Sequence, residues 1–338
     1  MAELSNQLLP VAVLAYLAAM VGYLMEYSFG ARGAVARTAV RPPRKRELVG
    51  AAAGRVAPPA PTSPAPISPA PMSPAPPATA PPAPVGRAAI FGRIAVGLTV
   101  VAALAHAGVL VTRGLAAGRV PWGNMYEFVV ALSLVAAVAW LVLLIGRPTL
   151  RLLGLFVTLA LVLVLGFAGM VLYTEAAPLV PALNSYWLKI HVSAAATASG
   201  LLLIAFVPAA LFLIRAGYDA GKRRFPYPIG AKLPAAESLE RLTFRLHAFA
   251  FPIWTFAVIC GAIWAEAAWG RYWGWDPKEI WSFVSWVAYA AYLHARATPS
   301  VKRTTATWFA VAAWGTMLIN LYVINFVAVG LHSYAGVE

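Results

Sequence analysis

The stretch that decides how this chain folds is WGRYWGWDPKEIW, residues 269–281. It carries Trp269, Trp273, Trp275 and Trp281 together with Arg271, Asp276, Lys278 and Glu279, and it lies between two segments apolar enough to cross a bilayer. Such an island reads as a membrane-surface connection between two spanning helices. Its second half is helix punctuation, with Asp276, Pro277 and Glu279 at the N-cap, N1 and N3 positions of the next helix.

The rest of the chain repeats that alternation. Of its 338 residues, 61% are hydrophobic and only 11% are charged, against about 25% charged in an ordinary soluble domain. An apolar run of about 20 residues crosses a bilayer as a helix. Runs of that kind fall near 8–28, 89–112, 126–146, 151–173, 187–215, 243–267, 278–297 and 306–330. The expected fold is an all-α polytopic membrane protein with about eight transmembrane helices. Three regions follow: residues 1–29, read as a retained signal-anchor helix; residues 30–88, a basic, Pro/Ala-rich cytoplasmic linker; and residues 89–338, a seven-helix membrane domain with its outer tryptophan loop at 264–281. The linker has no periodic apolar face to bury and is expected to be extended or disordered.

The formal net charge of +14 would point to nucleic acid in a soluble protein. Here the loops explain it. All but five of the 26 lysines and arginines fall after the first, third, fifth and seventh helices, the exceptions being Arg113, Arg119, Lys189, Arg271 and Lys278. Basic loops stay in the cytoplasm, so both termini and the tryptophan loop are expected on the extracytoplasmic face, and nucleic acid is not an expected partner. The single cysteine, Cys260, lies within an apolar run. It leaves no internal disulfide and no CxxC motif.

Tryptophans at a membrane boundary form an aromatic belt, but a belt spreads over many helix ends. Crowding Trp269, Trp273 and Trp275 into one loop, with Trp264 and Trp281 on the flanking helices, instead fits a surface for a large, flat, apolar ligand. Arg271 and Lys278 are placed to meet anionic edges on it. Haem has that description, and its iron takes axial imidazoles. His191, early in helix five, and His332, just past helix eight, both lie towards the outer face and bracket the loop. His294 lies 17 residues beyond Pro277, about 25 Å along a helix, and so near the cytoplasmic end; His247 is at comparable depth. His106, in helix two, has no evident partner.

At this point the segment GAIWAEAAWGRYWGWDPKEIWSFVSW (261–286) resembles the tryptophan-rich WWD signature of the haem-handling membrane proteins of cytochrome c maturation. The segments WGNMYEF, SYWLKIHV, YLHAR and GLHSY favour the CcsA (ResC-type) branch, and the resemblance covers about residues 89–336. It implies a haem-delivery and attachment role, with haem b as substrate and transient ligand. Haem would be received near the cytoplasmic side through His294 and held outside between His191 and His332. There it would be joined to the CxxCH cysteines of an apocytochrome c, as in a cytochrome c synthase. Trp264, Trp269, Trp273, Trp275, Trp281, Arg271, Asp276 and Glu279 are the implied surrounding residues. The resemblance also implies a bacterial cytoplasmic membrane location, a CcsB/ResB-type partner that supplies the other inner imidazole, and indirect dependence on thiol-reducing proteins. Without it, the residues also fit a dihaem b-type electron-transfer subunit. A secondary transporter fits less well, since no internal repeat is visible.

Overall fold

The computed structural model describes residues 1–29, 86–178, 185–328 and 330–332, and among these it contains helices and no strands. The linker expected at 30–88 therefore lies almost wholly outside the described residues. Eight long helices follow in order: α1 (Ala2–Phe29), α2 (Arg87–Ala117), α3 (Met125–Gly146), α4 (Gly154–Val171), α5 (Tyr186–Asp219), α6 (Ala236–Trp269), α7 (Pro277–Ala297) and α8 (Arg303–Leu318). A π-helical turn, Ile319–Val323, and a short helix α9, Ile324–Val327, extend α8. The eight expected helices are present. Several are longer than hydropathy indicated, because α5 and α6 continue past the apolar run into polar turns.

Seven stretches are both long and apolar enough to cross a membrane: α1, α2, α3, the run Pro148–Val171, α5, α6 and Arg303–Val327. α7 is not among them, although its 21 residues make it about 30 Å long, the thickness of a hydrocarbon core. It carries Lys278 and Glu279 in its first turn, His294 and Arg296 in its last, and Trp281, Trp286, Tyr289 and Tyr292 between them. Ser282 and Ser285 bond to side chains of the run that follows, Asn320 and Thr316 respectively, so their hydroxyls are matched inside the bundle.

Packing follows from small residues at helical spacing. α1 buries Ser5, Leu9, Ala12, Tyr16, Ala19, Tyr23 and Glu26, and α2 buries Gly92, Ala95, Thr99, Ala102, His106 and Val109 among others. That alternation of three- and four-residue steps lays one narrow stripe on the other, as in a coiled coil. Alanines let the backbones approach where lipid supplies no driving force. α5 packs along α6, α7 along α8, and α3 against α5. His106 serves this packing: its Nε2–H donates to the Val130 carbonyl at 2.8 Å, and its Nδ1 faces the Tyr16 hydroxyl at 3.4 Å. Both ring nitrogens are committed.

Candidate functional site

α5, α6, α7, the α8–α9 run and the loop before α3 enclose a cavity of about 180 Å³. Its walls include His191, Trp254, Trp264, Trp269, Lys278 and His332.

Ser185 caps α5 by accepting from the Trp187 N–H at 3.2 Å, and His191 follows one and a half turns later. Its Nδ1–H donates to the Ala257 carbonyl of α6 at 2.8 Å. A carbonyl only accepts, so this bond fixes the proton on Nδ1 and leaves the Nε2 lone pair. The ring stacks on Trp264, 6.0 Å between centroids and 8° from parallel. Gly261 makes this possible: a Cβ there would sit 2.8 Å from His191 Cε1 and 2.9 Å from Nδ1. Gly261→Ala is therefore expected to turn the ring off Ala257, which a change in the His191 ring-nitrogen shifts of labelled variant against wild type checks.

His332 is held from the other side. Its Nδ1–H donates to Asp276 Oδ1 at 2.9 Å. Asp276 is the N-cap of α7, so the same carboxylate starts a helix and orients an imidazole. Oδ1 also accepts from the Lys278 N–H at 3.0 Å, and Oδ2 accepts from the Leu331 N–H at 2.7 Å. Glu279 completes the capping box, its Oε2 accepting from the Gly274 and Asp276 N–H groups. Close approach at Gly330 is required, since a Cβ there would lie 2.5 Å from Asp276 Oδ2. The His332 ring lies 5.1 Å from Trp269 and 6.0 Å from Trp264. Buried Trp264 thus touches both imidazoles.

Burial by itself would raise the Asp276 carboxyl, but hydrogen bonds from His332, Leu331 and Lys278 outweigh it and hold the group below its ordinary 3.8. A carboxyl lowered in this way keeps its charge above the unfolded value and loses it only as pH falls through the lowered one. His332 is expected to stay anchored through the neutral range and down to about pH 4; the ring nitrogen shifts in labelled protein check this.

Of the residues named from sequence, His191, His332, Trp264, Trp269, Trp273 and Glu279 line the cavity, and Asp276 stands directly behind His332. The structure does not bring Trp275, Trp281 or Arg271 to the lining. Trp275 is 65% exposed, with its ring at right angles to Trp273. Its φ of 60° is the left-handed region, which costs a non-glycine residue about 1–3 kcal/mol. Arg271 folds over Gly274, where a Cβ would collide with its guanidinium. His294 is exposed near the far end of α7. His247 is buried, its Nδ1–H donating to the Thr243 carbonyl and its ring 4.7 Å from Tyr292. Among the described residues no group of three or more His, Cys, Asp or Glu side chains clusters as a metal site.

Sequence reasoning did not assign Trp122, Trp254, Met317 or Asn320 to the site, and all four line the cavity. Trp122 had a signal, since it opens the WGNMYEF segment. Asn124 caps α3 by accepting from the Glu127 N–H at 2.9 Å. Buried Glu127 then gathers Arg113 at 2.8 Å, Arg119 at 2.7 Å and the Gly123 N–H at 2.7 Å. This network pins the loop carrying Trp122 to the end of α2. Asn320 had none, because it sits on the π-helical turn, which shifts the helix register.

The family sequence model described as "Cytochrome C assembly protein" matches residues 122–332, a span that contains every wall of the cavity. Curated relatives with the name "Cytochrome c biogenesis protein CcsA" include one from Guillardia theta, 33% identical over 259 residues, covering 71% of this chain and 85% of the relative. Others from Oryza sativa and Zea mays are 33% identical over 262 and 261 residues, each covering 67% of this chain and 81% of the relative.

Proposed function

Since the chain belongs to the cytochrome c assembly protein family, we propose that it is a haem-handling subunit of cytochrome c maturation that presents haem to an apocytochrome at the His191–His332 cavity. One observation carries this reading. Two imidazoles flank one buried tryptophan, and each has its Nδ1–H committed to a fixed acceptor. The His191 proton lies on Nδ1, which leaves its Nε2 for an iron, and His332 would bring the second imidazole that bis-imidazole ligation of a haem iron requires, with Asp276 as the second-sphere group that orients it.

Haem supplies two vinyl groups, and addition of a cysteine S–H across each forms a carbon–sulfur bond and moves the proton to the neighbouring carbon, with no net redox change. The chain's residues hold and orient. His191 and His332 fix the plane, Trp264 and Trp269 cover apolar surface, and the loop through Trp273 and Trp275 lies where a CxxCH segment would approach. Holding two reactants in register is itself worth several kcal/mol of barrier. Cys260 is buried on α6 and donates no thiol to this step. The site would lie on the extracytoplasmic face of a bacterial membrane, by the distribution of basic loops.

His294 acts earlier in this reading. It is exposed on α7, one helix length from the cavity, and is suited to share a haem with an imidazole from a CcsB/ResB-type partner. In the complex with that partner, His294→Ala is expected to lower haem content severalfold, whereas His191→Ala lets haem arrive and bind poorly; haem per protein measures both. For the function as a whole, the full chain purified with its partner is expected to show a six-coordinate, bis-imidazole haem spectrum. A colourless complex that still matures cytochrome c would sink the reading.

A further inference from the structure

The most polar wall of the cavity is on α7 and the run that follows it, where Lys278, Glu279, Ser282 and Asn320 line it; Glu279 is taken up by the Gly274 and Asp276 N–H groups. Lys278 and Ser282 are four residues apart and so share a face of α7. Both line the cavity, as does Asn320, whose Nδ2–H donates to Ser282 Oγ at 3.0 Å. Lys278 is placed where a lysine is unfavourable. It occupies the second position of a helix, where the macrodipole repels a cation. Its Nζ makes one side-chain hydrogen bond among the described residues, to the Met125 sulfur at 3.9 Å. Among the described residues no carboxylate lies within 4.0 Å of it, whereas Arg113, Arg119, Arg151, Arg215 and Arg296 each have one. Asn320 Oδ1 is buried with no hydrogen-bond partner. Exchanging the two ends of that carboxamide lets Oδ1 accept from the Ser282 hydroxyl and frees an N–H₂ donor.

A cation with no carboxylate within 4.0 Å among the described residues, beside a hydroxyl and an amide in a largely apolar cavity, is an incomplete anion site. The geometry points to a carboxylate subsite formed by Lys278, Ser282 and Asn320, which receives the propionate edge of the bound macrocycle. This rests on the haem reading above and deepens it. The two propionates share one edge of haem, and the vinyl groups occupy the other half. Seating the carboxylates against α7 turns the vinyls away from that wall. Lys278 is thus a positioning residue that selects which half of the ligand is offered for attachment. Arg271, the other base of the tryptophan loop, does not take this role, because its guanidinium lies over Gly274 and outside the cavity lining.

The test compares haem with haem dimethyl ester, whose propionates carry no charge, by absorbance titration in detergent of the full chain purified with its CcsB/ResB-type partner. Wild type is expected to bind haem at least tenfold more tightly than the ester. Lys278→Met, close in length and flexibility, is expected to bring the two within threefold of each other, chiefly by weakening haem. Lys278→Arg is expected to keep the preference. Equal binding of both forms by wild type, or an undiminished preference in Lys278→Met, overturns the subsite and leaves the histidine site standing. Binding of neither form by wild type instead overturns the haem reading and this inference with it. The wild-type comparison decides even if Lys278→Met does not accumulate.

Discussion

Replacing His191 or His332 with alanine is expected to abolish cytochrome c maturation while leaving the protein at normal levels in the membrane. Loss of a residue that only orients a ligand typically costs 10- to 100-fold in metal affinity, so loss of the ligand itself should exceed about 100-fold. The fold should tolerate His191→Ala. The Ala257 carbonyl that accepts from His191 belongs to the interior of α6, so helical bonding still satisfies it. His332→Ala leaves Asp276 with the Leu331 and Lys278 N–H groups, so the cap of α7 also survives. Each variant then has an open axial position in an otherwise intact cavity, and millimolar imidazole should partly restore maturation. Cytochrome c formed by cells expressing each variant, with and without imidazole, is the measurement. Normal maturation in both variants would remove the outer site.

The second large effect is expected from Asp276→Asn, a substitution that preserves helix capping, because asparagine is about as good an N-cap as aspartate. If capping were the whole role, the variant would be silent. The structure predicts otherwise by counting donors. Three N–H groups converge on the two carboxylate oxygens, from Lys278, His332 and Leu331. A carboxamide offers one oxygen, and its NH₂ must face at least one of these donors. The oxygen then serves either Leu331 or the Lys278–His332 pair, and a mispaired buried group costs about 1–3 kcal/mol. The expected result is near-normal protein abundance with about 10- to 100-fold weaker haem binding, and maturation reduced in proportion. Full activity in Asp276→Asn would make the carboxylate a cap and nothing more. Gly330→Ala provides an independent check, since it displaces the same contact without changing the acid.

Much of the fold was legible in the sequence. Seven of the helices follow from apolar run length, and the start of α7 from four consecutive residues, Asp276 to Glu279, whose capping box the structure contains. The site was legible as a neighbourhood: two histidines and a set of tryptophans bracketing one loop. What remained hidden was how that neighbourhood is used. Trp275 and Trp281 look equivalent to Trp269 in the sequence, yet only Trp269 lines the cavity. Arg271 and Lys278 look like equal candidates for an anionic edge, yet one folds over Gly274 and the other faces the cavity. His106 carries no motif to show that its two nitrogens are spent on Tyr16 and Val130.

The division has a physical origin. Helix formation and membrane crossing depend on the composition of some twenty neighbouring residues, so the sequence alone determined the all-helical membrane fold, while the resemblance to the family rested on its tryptophan-rich segments. The state of each imidazole depends instead on a hydrogen bond to a group 66 residues away for His191 and 56 away for His332. That Lys278 and Asn320 line the cavity while Arg271 does not likewise depends on how α7 meets the π-helical turn. Only the packing of α5, α6, α7 and residues 330–332 around one cavity could decide which acceptor holds each Nδ1–H and which base of the tryptophan loop lines the cavity, because no local pattern encodes contacts made across the bundle.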